Sequence, residues 1–391
     1  MLFVENQVAI LKMNPINADL SEFLEPALAP LIKAGFLRIV PGDSEVGQYP
    51  CNHPLVEAIH ITGSGAAHDA IVWGPGREAT DNQKAGKPKN KRPITSELGG
   101  VGPTIVVPGP WSSADLHFQA EHVATQKLHN SGLNCIACQV LLLPKRWPLK
   151  SAFLQQLRRA LASSSPRPLY YPGASARLAQ FQSAIGAPAD AQPTQADQCV
   201  VAPFDARADS GVESFEVFGP AMRATELDAE DAESFLIAAV EDANRKLAGT
   251  LGANILIHPK ALGRIGRGRF EAILADLRYG CIGVNAWTGL GFLSPAATWG
   301  AFPGHTLAAV QSGIGFVHNT CLFERAQRTV IEAPFKPFPR NLLSLSFTLL
   351  PRPPWFITNR RAHGLGRLLT RFQYKPPFAK LPRSFFNALR G

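Results

Sequence analysis

Cys135 closes a short turn, Asn130-Ser131-Gly132-Leu133-Asn134-Cys135, between a helix-like run from Ser112 to His129 and an apolar, strand-like run from Ile136 to Leu143. A thiol at such a boundary lies where backbone donors and a cleft can reach it. As a thiolate it is a nucleophile for a carbonyl carbon. Two carboxylates stand in distinctive local words. Glu97 precedes a glycine pair in Ser96-Glu97-Leu98-Gly99-Gly100, and Glu216 opens Glu216-Val217-Phe218-Gly219-Pro220. A positioned carboxylate is a residue type that can take a proton from water. Each feature also has a plain structural reading: a small buried hydrophobe for the cysteine, a strand-ending turn for 216–220. Cys135 and Cys138 form a Cys-x-x-Cys pair, which leaves a redox motif, a disulfide or half a zinc site open. No second pair and no histidine at ligand spacing accompanies it, so no metal is expected.

These three stretches, in this order, resemble the aldehyde dehydrogenase superfamily. The resemblance implies that Cys135 attacks an aldehyde to give a thiohemiacetal, that hydride leaves to a nicotinamide, and that water activated by Glu97 hydrolyses the resulting thioester. It implies the Cys135 backbone N–H as one oxyanion donor, Glu216 as a ribose contact and Phe218 as packing on the nicotinamide side. The words Ile39–Asp43, His53-Pro54 and His60–Ser64 are similar to the second half of that family's nucleotide-binding domain. Lys12 falls where the family has a lysine on the adenosine ribose, and Gly63 and Ser64 where its chain turns beside the nicotinamide. Gly63-Ser64-Gly65-Ala66-Ala67-His68 is close to a G-x-G-x-x-G fingerprint, with His68 in place of the last glycine. The implied cofactor is NAD or NADP. NAD-preferring members commonly carry a glutamate three residues after the lysine, and Pro15 stands there. Leu133 departs from the family's usual glutamine.

The resemblance runs from about Glu5 to Gly315. It implies a chain that begins after the first part of the family's nucleotide-binding sheet and after the asparagine that completes its oxyanion hole. Losing one such donor costs about 100- to 1000-fold in rate. Two other readings stay beside aldehyde oxidation: a non-catalytic relative, and a CoA-dependent acylating dehydrogenase or acyl-CoA reductase.

The elements that must position these residues read as alternating strands and helices, hence a parallel α/β fold. The expected class is aldehyde dehydrogenase-like α/β: an incomplete Rossmann-type nucleotide-binding part at 1–96, an α/β catalytic domain at 97–315, and a basic tail at 316–391. Val8–Lys12 reads as a buried strand, 19–34 as a helix interrupted by Pro26 and Pro30, Leu37–Val40 and Ala58–Ile61 as strands, and Glu45–Tyr49 as a short helix. The lysine-rich stretch 74–94 reads as a solvent-exposed loop. Thr104–Val107 is a strand, and Ser112 with Asp115 has capping-box spacing. The stretch 163–198 looks irregular apart from a helix at 174–184; 232–247 and 270–277 read as helices, and 280–285 as turn and strand. His60, His68, His122 and His129 read as ordinary packing or polar residues.

Among 391 residues, 46% are hydrophobic, enough for a sizeable core. Six irregularly spaced cysteines fit a reducing compartment, and the first residues lack the pattern of a signal peptide, so a cytoplasmic protein is expected. Eleven of the 39 Lys and Arg lie after Glu332, where no Asp or Glu occurs, leaving 28 basic against 30 acidic residues before it. The net charge of +9 therefore belongs to a tail, and the body is not read as nucleic-acid binding. That tail is expected to pack on the body and join a homo-oligomer contact, to lie peripherally on an anionic membrane through a basic amphipathic helix, or to be disordered or meet an acidic partner. The expected substrate is a small aldehyde.

Overall fold

Apolar runs buried along their whole length, rather than on alternate residues, mark strands covered on both faces. The computed structural model contains four of them, within one parallel sheet of seven strands. It describes residues 2–165, 167–186, 199–202, 210–337, 340, 353, 355–376, 379 and 381–389. The chain divides into two units, residues 1–61 with 66–95, and residues 62–65 with 96–391.

In the first unit β1 (Ala9–Lys12) and β2 (Leu37–Val40) pair in parallel, Ala9 opposite Leu37 and Lys12 opposite Val40. The expected helix over 19–34 is two pieces, α1 (Ser21–Ala27) and α2 (Ala29–Lys33), broken at Leu28 between Pro26 and Pro30. Proline removes a backbone donor and crowds the preceding turn. The expectation of a buried first strand is corrected: Ile10 is 54% exposed. The sheet here is two strands wide, and neither α1 nor α2 has a buried residue. A short helix, α3 (Ser44–Asn52), starts on the Asp43 carboxylate, which accepts from the N–H groups of Glu45 and Val46. It is followed by β3 (Ile59–Gly63) and α4 (Gly65–Val72).

The stretch 74–94 is not a plain loop. It forms α5 (Arg77–Lys84), with Arg77 and Asp81 one turn apart and Lys89 on Glu78 at 3.0 Å. Spacing of opposite charges by four residues supports a helix even without an apolar face. Arg92, at its end, donates to the carbonyls of Cys51, His53 and Val56, satisfying oxygens around the end of α3.

In the second unit β4 (Ile94–Leu98) pairs antiparallel with β12 (Gly313–Ile314). The large sheet comprises β5 (Gly102–Val106), β6 (Cys138–Pro144), β7 (Val200–Ala202), β8 (Ala221–Leu227), β9 (Gly252–Leu256), β10 (Cys281–Val284) and β14 (Thr329–Glu332), in spatial order β14-β10-β9-β5-β6-β8-β7. Each neighbouring pair is parallel. A two-stranded ribbon, β11 (Trp299–Gly300) with β13 (Phe316–His318), stands apart from it.

Parallel strands need crossovers, and helices supply them. The flanking helices are α6 (Ser113–Leu128), α7 (Lys150–Ala162), α8 (Ala174–Ala184), α9 (Ala232–Lys246), α10 (Pro259–Ile265), α11 (Arg267–Asp276) and α12 (Gly289–Leu293). Strand alternation sorts the core. Ile105 and Leu142 meet Phe235, Ala239, Phe270 and Ile273 of α9 and α11, whereas Val106, Leu141 and Leu143 meet Val123, Phe153 and Leu157 of α6 and α7. α6 begins on the expected Ser112–Asp115 capping box, and α8 lies at the expected 174–184. The rest of the irregular stretch at 187–198, and the tail at 341–352, lie outside the described residues.

The tail does dock on the body. Arg340 pairs with the Asp115 carboxylate at 2.5 Å, and Gln119 donates to the Phe335 carbonyl at 2.7 Å. Phe356 stacks on Phe118 and His122, with ring centroids 5.4 and 5.6 Å apart. Beyond it α13 (Ala362–Tyr374) and α14 (Leu381–Leu389) complete the described chain, with Leu365 buried and Arg360, Arg361, Arg367, Arg371, Lys375 and Arg383 exposed.

Candidate functional site

Sixteen consecutive helical residues end at Leu128, and the chain then reverses hand. Asn130 (φ 55°) and Ser131 (φ 58°) are left-handed, and Gly132 follows at φ 74°. Non-glycine residues enter that region at a cost, with asparagine the most tolerant. Here two asparagines fix the turn. The Asn130 amide donates to the Leu133 carbonyl at 3.0 Å and the Asn134 amide to the His129 carbonyl at 2.9 Å. Asn134 also accepts from the Ile136 N–H at 3.2 Å. The turn delivers Cys135 three residues before β6.

Its thiol is half-buried against a cluster that includes Ile136, Leu251, Cys281, Trp287 and Trp299. Burial pushes the thiol well above the usual thiol range, and the negative charges of Glu97 and then Glu216 push it the same way. The two carboxylates singled out in the sequence therefore converge electrostatically on the cysteine. Cys138 is fully buried inside β6, a separate environment, and both cysteines are free.

Glu97 lies on β4 opposite Gly313, and is 4% exposed. One carboxylate oxygen accepts from the indole N–H of Trp299, the other from the Thr62 hydroxyl at 3.2 Å. Gly313 has φ 126°, and a side chain there would strike the Ser96 carbonyl, so glycine is what lets β12 close on the Glu97 strand. Gly63 follows Thr62 as the last residue of β3, and Ser64 stands between it and the start of α4.

The Glu216 loop is held from β6. Gln139 is buried, donates its amide to the Val212 and Phe215 carbonyls at 2.7 and 2.8 Å, and accepts from the Val217 N–H at 2.9 Å. It thus grips the backbone on both sides of Glu216. The Glu216 carboxylate rests against Gly99, where any side chain would collide with it. Burial pushes Glu216 up to about 7, against the opposing pull of Arg177, Lys127 and the Gly100 N–H. Its Oε1 is buried and has no hydrogen-bond partner among the described residues. Phe218 occupies the left-handed region at φ 42°, edge-on to Tyr171 at 5.0 Å and beneath the Arg177 guanidinium at 5.6 Å. An aromatic residue in that conformation is a strained one that its surroundings must hold.

Cys135, Glu97, Thr62, Trp299 and Glu216 thus form one neighbourhood of the second unit. Lys12 belongs to the first unit, where its stem lies along Gly47. Three contributors escaped the sequence reading. Trp299 is given no role there. Gln139 is the one polar residue within an apolar strand, a signal that was readable. Lys127 sits on the apolar stripe of α6, seven residues after Ala120 and four after Val123, where a lysine is out of place.

The sequence profile of the aldehyde dehydrogenase family matches residues 17–172. That span takes in Gly63, Ser64, Glu97 and Cys135, and leaves out Lys12, Glu216 and Phe218. Among curated proteins, coniferyl aldehyde dehydrogenase of Pseudomonas sp. is 30% identical over 165 residues, covering 42% of this chain and 30% of that protein. D-Glyceraldehyde dehydrogenase (NADP(+)) of Thermoplasma acidophilum is 29% identical over 140 residues, covering 35% and 25%. The fold is that of solved aldehyde dehydrogenases. An indole-3-acetaldehyde dehydrogenase complexed with NAD+ aligns with TM-score 0.58 at 20% identity, over 79% of this chain and 59% of its own. Gamma-glutamyl-gamma-aminobutyraldehyde dehydrogenase of Burkholderia cenocepacia gives 0.57 at 23% identity, over the same shares. The matched part is less than a third of the curated relatives' length and about three-fifths of the solved ones.

Proposed function

We propose that the chain is a relative of the aldehyde dehydrogenase family and that it oxidises an aldehyde to a carboxylic acid through Cys135. The observation that carries this reading is that Cys135, at the end of a left-handed turn, packs on the cluster that holds Trp299, whose indole N–H donates to the Glu97 carboxylate. In this reading the Cys135 thiolate forms the Sγ–C bond to the aldehyde carbon, and the carbonyl oxygen takes up the negative charge. The Cys135 backbone N–H is one donor for it. NAD(P)+, when bound, supplies the hydride acceptor that converts the adduct to a thioester on Cys135. Glu97 then takes a proton from water, whose oxygen attacks the thioester carbon, and the Cys135 sulfur leaves. For this the Trp299 and Thr62 donors must release at least one carboxylate oxygen.

The residues present suit a dinucleotide. The orphaned Oε1 of Glu216 is an acceptor that a ribose hydroxyl would complete, and Phe218 presents a ring beside it. Gly63 and Ser64, at a helix start, suit a close backbone approach and an anionic group. Lys12 is the proposed adenosine-ribose contact. Pro15 leaves no carboxylate three residues on to repel a 2′-phosphate, so NADP is admitted beside NAD.

The test is NAD(P)H formation from a panel of aldehydes, with and without CoA, against a Cys135→Ala control. Turnover that survives Cys135→Ala rejects the proposal. Turnover only with CoA assigns the acyl group to a thiol acceptor instead of water, and absence of both turnover and cofactor binding assigns a non-catalytic role. For the tail, we propose contact with an anionic membrane surface. The exposed arginines of α13 and α14, with Tyr374 90% and Phe386 55% exposed beside them, support that reading. Co-sedimentation with anionic vesicles that is unchanged on deleting residues 360–391 would retire it.

A further inference from the structure

Lys127 is a lysine with no solvent-exposed surface. Lysine is almost never fully buried without a partner that explains it. It lies in the last turn of α6, eight residues before Cys135. Its Nζ donates to the Gly219 carbonyl at 2.9 Å and to the Ala221 carbonyl at 2.7 Å. Those two carbonyls flank Pro220, at the corner where the Glu216 loop enters β8. Gly219 O is also the atom that a side chain on Gly132 would strike, with the Lys127 carbonyl 3.1 Å from the same point. The thiol turn, the end of α6 and the Glu216 loop therefore meet at one carbonyl oxygen.

We propose that Lys127 is a positioning residue that joins the Cys135 turn to the Glu216 loop. The proposal rests on the reading of Cys135 as nucleophile and Glu216 as ribose contact. Holding Gly219 and Ala221 fixes the two residues that follow the strained Phe218, and so fixes where the Glu216 carboxylate sits against Gly99. The groups facing Glu216 are Arg177 from α8, Lys127 from α6, the Cys135 thiol and the Gly100 N–H. Burial pulls Lys127 below the usual lysine range, and Cys199, Cys138 and Glu216 oppose that pull. Of the two cations, Lys127 alone also holds the loop that carries the carboxylate at Gly219 and Ala221; Arg177 reaches the Val217 carbonyl at 3.2 Å. Removing the ammonium would loosen the loop and leave Glu216 protonated to higher pH.

The experiment uses the full chain and the variant Lys127→Met, which keeps the length of the side chain. Hydrogen exchange is followed in peptides covering 130–135 and 216–221. The Glu216 carboxyl is titrated by carbon-13 NMR, assigned with Glu216→Gln. Buried hydrogen bonds from a charged donor are strong enough that exchange in both peptides should rise together by about tenfold to a hundredfold. The Glu216 midpoint should move up. A purely structural lysine would loosen the end of α6 and leave that midpoint in place, which overturns the proposal. Gly132→Ala presses on Gly219 from the other side with the charge kept, and carries the test if the lysine variant does not fold. Loosening of both peptides supports the joint; loosening confined to 130–135 overturns it. Neither measurement needs aldehyde or cofactor, so failure of the joint and failure of the catalytic reading are read out separately.

Discussion

Cys135 keeps its proton more tightly than a free thiol, because burial and two carboxylates all disfavour the anion. At neutral pH and without ligand, alkylation of Cys135 should be slow compared with the exposed Cys321, as followed by peptide mass spectrometry. Glu97→Gln or Glu216→Gln should each speed it severalfold by removing a negative neighbour. If both leave the rate unchanged, the carboxylates do not share the thiol's surroundings. In turnover the same Glu97→Gln change should slow deacylation by about 100- to 10,000-fold, the usual worth of a general base. At this scale the chemistry-bearing side chains were legible because each sits in a local word of four to six residues. What holds them was not. Gln139, Lys127 and Trp299 act through contacts 73 to 202 residues away in sequence, and local words do not carry such distances.

Elements were legible where one pattern dominates. The capping box, the helix at 174–184 and the strand at Leu37–Val40 follow from caps and periodicity alone. Burial of β1 was misread because an apolar run looks the same whether or not a layer covers it. The helix at Arg77–Lys84 was missed because its support is charge spacing, without an apolar stripe. The central sheet should behave as a packed interior. Leu142→Ala, at a fully buried position facing α9, should cost about 2–5 kcal/mol in denaturant unfolding. A change below about 1 kcal/mol would mean that the sheet face is not closed as described.

For the molecule as a whole, two buried groups tilt stability with pH in opposite senses. Burial pushes His122 down to about 4 from 6.5, so the native state holds it neutral. Its contribution is full above 6.5 and is lost as pH falls toward 4. Glu216 is pushed up to about 7 from 4.5, so the native state binds its proton more tightly than the unfolded chain. That contribution is full below 4.5 and is lost as pH rises toward 7. Between 4.5 and 6.5 the two slopes oppose each other. Unfolding measured across that window should show stability rising more steeply with pH in Glu216→Gln than in wild type, and less steeply in His122→Gln. Identical slopes in all three would exclude both assignments. His122 also carries Phe356, so acid that charges the imidazole should free the docked tail, seen as faster proteolysis after residue 353.

The bond from the Trp299 indole to the Glu97 carboxylate has an optical consequence. An excited indole shifts electron density within its ring, and its emission responds to a charge held at its N–H. The fluorescence of this one tryptophan should therefore change colour when the carboxylate beside it turns away or is neutralised. The difference spectrum between wild type and Glu97→Gln isolates it from the other five tryptophans. Ligands that draw Glu97 toward water would then be visible by light alone, with no coupled assay and no label.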